Sequence, residues 1–177
     1  MRVHLYRGKP VNKADYTLYE GLYEPNVFNE GFVYGSLIVK GKKHYICIGV
    51  AGSKLNCLIN NATVTLVEVI PETVGEYTNL TDCHDKMIFE GDIIKQINSY
   101  DKLEMIGLVR FSKSSQFVIS HTYTKKENCY KRGMKKAFAI KTNCEIIGNI
   151  YDNPELLEVE EWTTKQCMKK KKELLTK

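Results

Sequence analysis

Residues 68–95 read EVIPETVGEYTNLTDCHDKMIFEGDIIK, and the reading of this stretch decides the fold class. Pro71 ends the apolar run Leu66–Ile70, because proline donates nothing to a β ladder and biases its predecessor towards extended backbone. A strand stops there. At the far end, Met87–Ile94 places β-branched and aromatic residues on both sides of Gly91, the pattern of a strand that bulges or bends sharply at a glycine corner. Between them, Asn79–Lys86 is rich in Asn, Asp and Thr, whose short side chains bond nearby backbone and favour turns over regular structure. The stretch therefore predicts β structure organised around a bend, and it contains no recognisable chemistry.

Working towards the amino terminus, Thr63–Ile70 alternates Val64 and Leu66 with Thr63 and Thr65, which predicts a strand with one buried face. Asn60-Asn61 turns the chain into it from the apolar run Leu55–Ile59. Phe32–Tyr34 and Ser36–Lys40, the turn Gly41–Lys43 and the run His44–Ile48 read as a hairpin. Leu5–Pro10 reads as a short strand ending in a Gly/Pro turn, and Asp15–Tyr23 carries a weaker alternation.

Towards the carboxyl terminus, Gly107–Phe111, Phe117–Ser120, Ala137–Ile140 and Glu145–Ile150 are further strands, the first two joined by the polar turn Ser112–Gln116. Short strands at this spacing suggest closure or partial closure, because closure removes unpaired edges. At Asn153-Pro154-Glu155 the character changes to a helix start, with a capping Asn, a first-turn Pro and an acid at the positive end of the dipole. A helix from Pro154 towards Lys170 would carry acids early and lysines late, its first half docking and its end fraying. The expected fold is mainly β, a β-rich α+β chain. It has a β-rich region at 1–70, a central region at 71–153 holding a small SH3-like or half-open β-barrel around residues 86–150, and a helix with a basic tail at 154–177.

Composition narrows the class. The 177 residues are 43% hydrophobic and 27% charged, an ordinary globular mixture that argues against wholesale disorder. No apolar run approaches the roughly 18 residues of a membrane span, and the opening MRVHLYRGKP lacks the apolar part of a signal peptide. The expectation is a cytosolic protein that does not engage membranes. The cysteines at 47, 57, 83, 129, 144 and 167 form no CxxC pair, and they read as small buried hydrophobes. The net charge of +5 conceals an asymmetry: residues 121–141 hold seven Lys/Arg against one acid, and residues 165–177 six against one. Elsewhere thirteen basic and nineteen acidic residues remain, a net of −6. The chain is an acidic body with two basic segments.

Several motifs together resemble the YopX family of phage and prophage proteins. They are Pro71–Thr78, Asp82, Ile88–Ile93, Glu145–Leu157, and at the amino-terminal end Tyr6–Lys9 and Gly31–Leu37. The likeness spans most of residues 5–157 in family order. Two departures stand out: Asn79 follows Tyr77-Thr78 where the family favours glycine, and Cys83-His84-Asp85 replaces a usual Asn-Gly turn. The resemblance implies a β-rich, phage-encoded protein made in the cytoplasm of a bacterial host, and it implies no activity.

Three groups of residues invite a functional reading. The carboxylates Glu72, Glu76, Asp82, Asp85, Glu90 and Asp92 cluster in the central stretch, and Glu90 with Asp92 could hold Mg²⁺ for phosphoryl chemistry. The competing account, preferred here, has them accepting backbone N–H bonds around a bulge and a turn. Cys83 and His84 are neighbours that an extended chain points to opposite faces, a poor metal pair, and His4, His44 and His121 are isolated. No phosphate loop, nucleophile elbow or zinc-protease helix is present. The expectation is accordingly a protein that is not an enzyme, with no catalytic residue, metal or cofactor nominated.

The third group is Tyr123, Lys125, Lys126, Tyr130, Lys131, Arg132, Lys135 and Lys136. Cations that neutralise phosphates, interleaved with tyrosines that stack on exposed bases, are the composition of a nucleic-acid-binding loop. A solvated hairpin loop whose lysines serve solubility explains the same charges. The expected function is binding, with nucleic acid as the ligand and the loop as its site, helped by Lys169–Lys172. The alternative is a protein-interaction module that docks on a host or phage protein, using aromatics in Tyr16–Phe32 and the segment around Trp162; the same surface would suit a homo-oligomer.

Overall fold

The computed structural model describes residues 4–12, 28–48, 65–97, 104–126, 129–132, 138–141 and 143–157. Among them the regular elements are thirteen β-strands and two short 3-10 turns. The predicted runs Asp15–Tyr23 and Leu55–Ile59, the Asn60-Asn61 turn, and the chain from residue 158 onward lie outside the described residues. The chain divides into two compact units, Met1–Asn79 and Leu80–Lys177.

The first unit holds β1 (Tyr6–Gly8), β2 (Phe28–Asn29), β3 (Phe32–Lys40), β4 (Lys43–Ile48), β5 (Thr65–Val69) and most of β6 (Gly75–Thr81). They pair antiparallel in the order β5-β4-β3-β1-β6, with β2 against β3. The predicted hairpin is β3–β4, its turn passing through Gly41 at φ 61°. Pro71 ends β5 as predicted, opening a 3-10 turn at Pro71–Thr73. Beyond β1, Val11 N–H donates to Glu68 O at 2.9 Å and Ile70 N–H to Lys9 O at 2.8 Å. The sheet thus curls until β5 meets the chain leaving β1, at the single bridge Pro10–Val69. The curl stops short of a barrel.

The phase of β5 is a correction. The alternation of Val64 and Leu66 predicts Leu66 as buried, yet Leu66 is 48% exposed, whereas Val67 and Val69 join Val33, Ile46 and Ile48 in the core. Val67 lies opposite Ile46, so the register with β4 fixes which face turns inward. Local alternation cannot tell the two faces apart when both carry apolar residues.

The second unit holds β7 (Met87–Phe89), β8 (Asp92–Ile97), β9 (Glu104–Phe111), β10 (Phe117–Lys126), β11 (Cys129–Arg132), β12 (Phe138–Ala139) and β13 (Cys144–Asn149). Gly91 makes the corner between β7 and β8 at φ 89°, a left-handed conformation that glycine adopts without strain. The main sheet runs β11-β10-β9-β8-β13, with β12 on β10. Its inner face packs Ile88, Ile94, Val109, Ile119 and Cys144, against which Phe117, Ile140 and Ile146 lean.

Two expectations are corrected here, the closed SH3-like form that stood beside a half-open one and the terminal helix. No closed barrel forms among the described residues: β12 and β13 have no ladder between them, and the seam is instead spanned by one side chain. Buried Gln96 donates its amide to Ala139 O at 3.3 Å and accepts Lys141 N–H at 3.1 Å. The described part of the predicted terminal helix, Pro154–Leu157, is a single 3-10 turn. It packs where Gly148 leaves room, since a Cβ there would stand 2.6 Å from Asn153 Oδ1 and 2.9 Å from Leu156 Cδ1. No described helix is long and apolar enough to cross a membrane.

Candidate nucleic-acid interface

Three acids of the central stretch, Asp82, Glu90 and Asp92, accept backbone N–H bonds, while Glu76 Oε1 meets His4 Nδ1 at 3.2 Å. Asp82, 5% exposed, opens the β6–β7 turn. Its Oδ1 accepts N–H bonds from His84 at 2.8 Å and Lys86 at 3.0 Å, and its Oδ2 accepts one from Ile146 on β13 at 3.1 Å. Burial opposes ionisation of this carboxyl, but the three donors together outweigh it and hold its pKa below the ordinary 3.8. Asp92 Oδ2 accepts Phe89 N–H at 2.8 Å across the Gly91 corner, and Glu90 Oε1 accepts Phe111 N–H at 3.1 Å. These acids brace a turn and a corner, in agreement with the preferred account. No group of three His, Cys, Asp or Glu able to hold a metal ion occurs among the described residues.

Cys83 N–H bonds Cys144 O at 2.9 Å, so the turn also covers the edge of β13. Cys144 lies in the core, where burial first, and then Asp82 and Cys83, push its thiol up to about 11. It behaves as the small buried hydrophobe expected. Cys83 does not, being exposed.

The basic segment is where architecture departs from expectation in a useful way. Tyr123–Lys126 and Cys129–Arg132 are not a loop but the paired ends of β10 and β11, in the register Tyr123↔Arg132, Thr124↔Lys131, Lys125↔Tyr130 and Lys126↔Cys129. Two of these rungs set a tyrosine opposite a cation, and they stand two positions apart. Lys135 and Lys136 lie outside the described residues.

The rungs continue across the sheet. Tyr123 pairs with Ile106, Ile106 with Lys95 and Lys95 with Glu145, while Lys125 pairs with Glu104 and Glu104 with Ile97. A bulge makes this possible: His121 and Thr122 together stand opposite Gly107, and the register resumes at Tyr123. Without it Tyr123 would share the parity of core residue Ile119. With it, Tyr123 and Lys125 occupy positions of the outward face, that of Lys95, Ile97, Glu104 and Ile106. Ile97 is 49% exposed there, and Lys95 Nζ meets Glu145 Oε2 at 3.1 Å, a hydrogen bond that raises the lysine pKa. Sequence reading missed Lys95, Ile97 and Ile106; their alternation was visible, but not the rows they join.

Two antiparallel sheets, three acids spent on a turn and a corner, and a paired basic ribbon define a β-rich protein whose described residues assemble no metal cluster. The family model described as YopX protein matches residues 36–158, and the chain belongs to that family. No curated protein matches the chain.

Proposed function

We propose that the protein binds nucleic acid through the β10–β11 ribbon and acts by binding rather than by catalysis. The observation that carries this is the register: Tyr123 with Arg132 and Lys125 with Tyr130 place an aromatic and a cation on each of two alternate rungs. Residues opposite one another and two apart share a face of a ribbon. Cations there neutralise phosphates, and tyrosines offer rings to bases. Lysines on an edge strand also deter aggregation, but that task needs no tyrosines.

The two ribbon cations on the tyrosine face, Lys125 and Arg132, imply a salt slope of about −1.4 for a single strand, hence a loss of about sevenfold between 50 and 200 mM salt. A filter-binding titration at low salt with RNA, single-stranded DNA and duplex DNA tests the reading. Retention that falls with this slope supports it, and no retention of any of the three ends it. The second reading, docking on a host or phage protein, draws on the exposed Ile38 and Leu66 of the first unit. A defined protein retained directly after nuclease treatment, with no affinity for the three probes, would favour it.

A further inference from the structure

The rows that run from the ribbon across the sheet carry the proposed binding further, to the form of nucleic acid and to residues the charge pattern never marked. The first row is Arg132, Tyr123, Ile106 and Lys95, on β11, β10, β9 and β8; the second is Tyr130, Lys125, Glu104 and Ile97 on the same strands. At one end of this outward face Ile93 and Leu108 are buried, and the Pro154–Leu157 turn lies over neighbouring Gly148. At the other end Ile97 is exposed and Ile106 and Glu104 are only partly covered. The open part of the face is thus the part that carries the tyrosine and cation positions.

We propose that this outward face is a platform for a single-stranded nucleic acid, which crosses from the β10–β11 ribbon to Lys95 and Ile97 of β8. The proposal rests on the nucleic-acid reading above and adds its partner form and its extent. Width decides the form. Three inter-strand spacings separate β11 from β8, roughly 14 Å before side chains are counted, which exceeds the roughly 12 Å of a duplex major groove. A ribbon of two strands alone would fit that groove; a contact surface four strands wide does not. A flat sheet that stacks two or three unpaired bases on its face is a known solution for single strands. Here aromatic positions lie on β10 and β11, apolar Ile106 and Ile97 extend the floor, and Lys95 stands at the far side, where its half-exposed ion pair with Glu145 opens for it to meet a phosphate. Glu104 and Glu145 on the same face limit the net positive charge, which favours contacts shared between bases and phosphates over purely electrostatic binding.

The test is fluorescence anisotropy of the full chain with a labelled single-stranded oligonucleotide of mixed sequence, in DNA and RNA forms, with the same sequence as duplex for competition. Three variants are compared: Lys95→Gln, Ile97→Glu and, as control, Leu66→Glu on the first unit. Lys95→Gln is expected to reduce the salt slope by about 0.7, and Ile97→Glu to weaken binding about fivefold through an acid placed beside the strand. Leu66→Glu is expected to leave binding unchanged, and duplex to compete poorly. Binding by the unaltered chain that neither Lys95→Gln nor Ile97→Glu weakens would overturn the platform while leaving the ribbon reading intact. Preferential binding of duplex would overturn it in the same way. A marked loss of thermal stability in Ile97→Glu would also overturn it, since the face would then be occupied by the protein itself. No binding by the unaltered chain would remove both.

Discussion

Replacing Asp82 by alanine removes the acceptor of three backbone amides at once, and the structure sets the scale of the loss. Hydrogen bonds to a charged group contribute about 1.5–3 kcal/mol each. The His84 and Lys86 amides belong to a turn and regain water on loss of the carboxylate, whereas the Ile146 amide lies on β13, partly covered. The three do not add fully, and the expected cost is about 3 kcal/mol. For a domain of about 100 residues that lowers the melting temperature by roughly 12–20 °C. Asp82→Asn keeps one carboxyl-type oxygen and should lose about half as much. Asp85→Asn is the control, because exposed Asp85 already stands at φ 61°, which asparagine tolerates. Urea and thermal unfolding followed by circular dichroism measure all three. A loss under 1 kcal/mol for Asp82→Ala, or a loss in Asp85→Asn as large, would refute the brace. So would a gain in stability, which is what relief of crowded carboxylates awaiting a cation would produce.

The same carboxyl fixes a pH dependence. Its pKa is lowered in the folded state, so its contribution is complete above the ordinary 3.8 and is lost as pH falls through the lower folded value; acid titration should show Asp82→Ala approaching the parent stability only at that acidic end. Gly91→Ala forces a side chain into φ 89° with its Cβ 3.0 Å from the Tyr151 ring, and should cost about 1–3 kcal/mol by urea unfolding. Gln96→Leu leaves Ala139 O and Lys141 N–H without the amide that spans the seam, and a loss of about 2 kcal/mol is expected, with faster hydrogen exchange at Lys141. Alkylation at pH 7.5 with peptide mass mapping should modify exposed Cys83 rapidly and leave Cys144 unmodified until unfolding, because its thiol titrates only near 11.

How much of this was legible in the sequence follows the range of each signal. Pro71, Gly91 and the Gly41 turn act through their own backbone, and each ends or bends a strand where the residue type predicts. Asn79 takes the left-handed conformation, at φ 62°, that replacing a favoured glycine requires. Asp82 and Asp92 were recognisable as turn and corner acceptors, although the bond from Ile146, 64 residues away, was not. What failed depends on register. Leu66 and Val67 are both apolar, and only pairing with β4 chooses between them. The basic segment read as a loop because Lys, Asn and Gly are poor strand formers, yet β10 extends beyond its bulge and holds β11 as an edge strand. The bulge also reverses the parity of Tyr123, so simple alternation from Ile119 assigns it to the wrong face. Gln96 carried no signal, being one polar residue in an apolar strand whose purpose appears only once β12 and β13 face each other across it.

Ultraviolet cross-linking of the full chain to a bound single-stranded oligonucleotide, followed by mass mapping of the modified peptides, reads the location of contact without any substitution. Adducts concentrated in peptides covering residues 123–132, with a second set at 95–106, are the predicted result. Adducts confined to the first unit, or none at concentrations where binding is saturated, would contradict the claim that the outward sheet face and its ribbon meet nucleic acid.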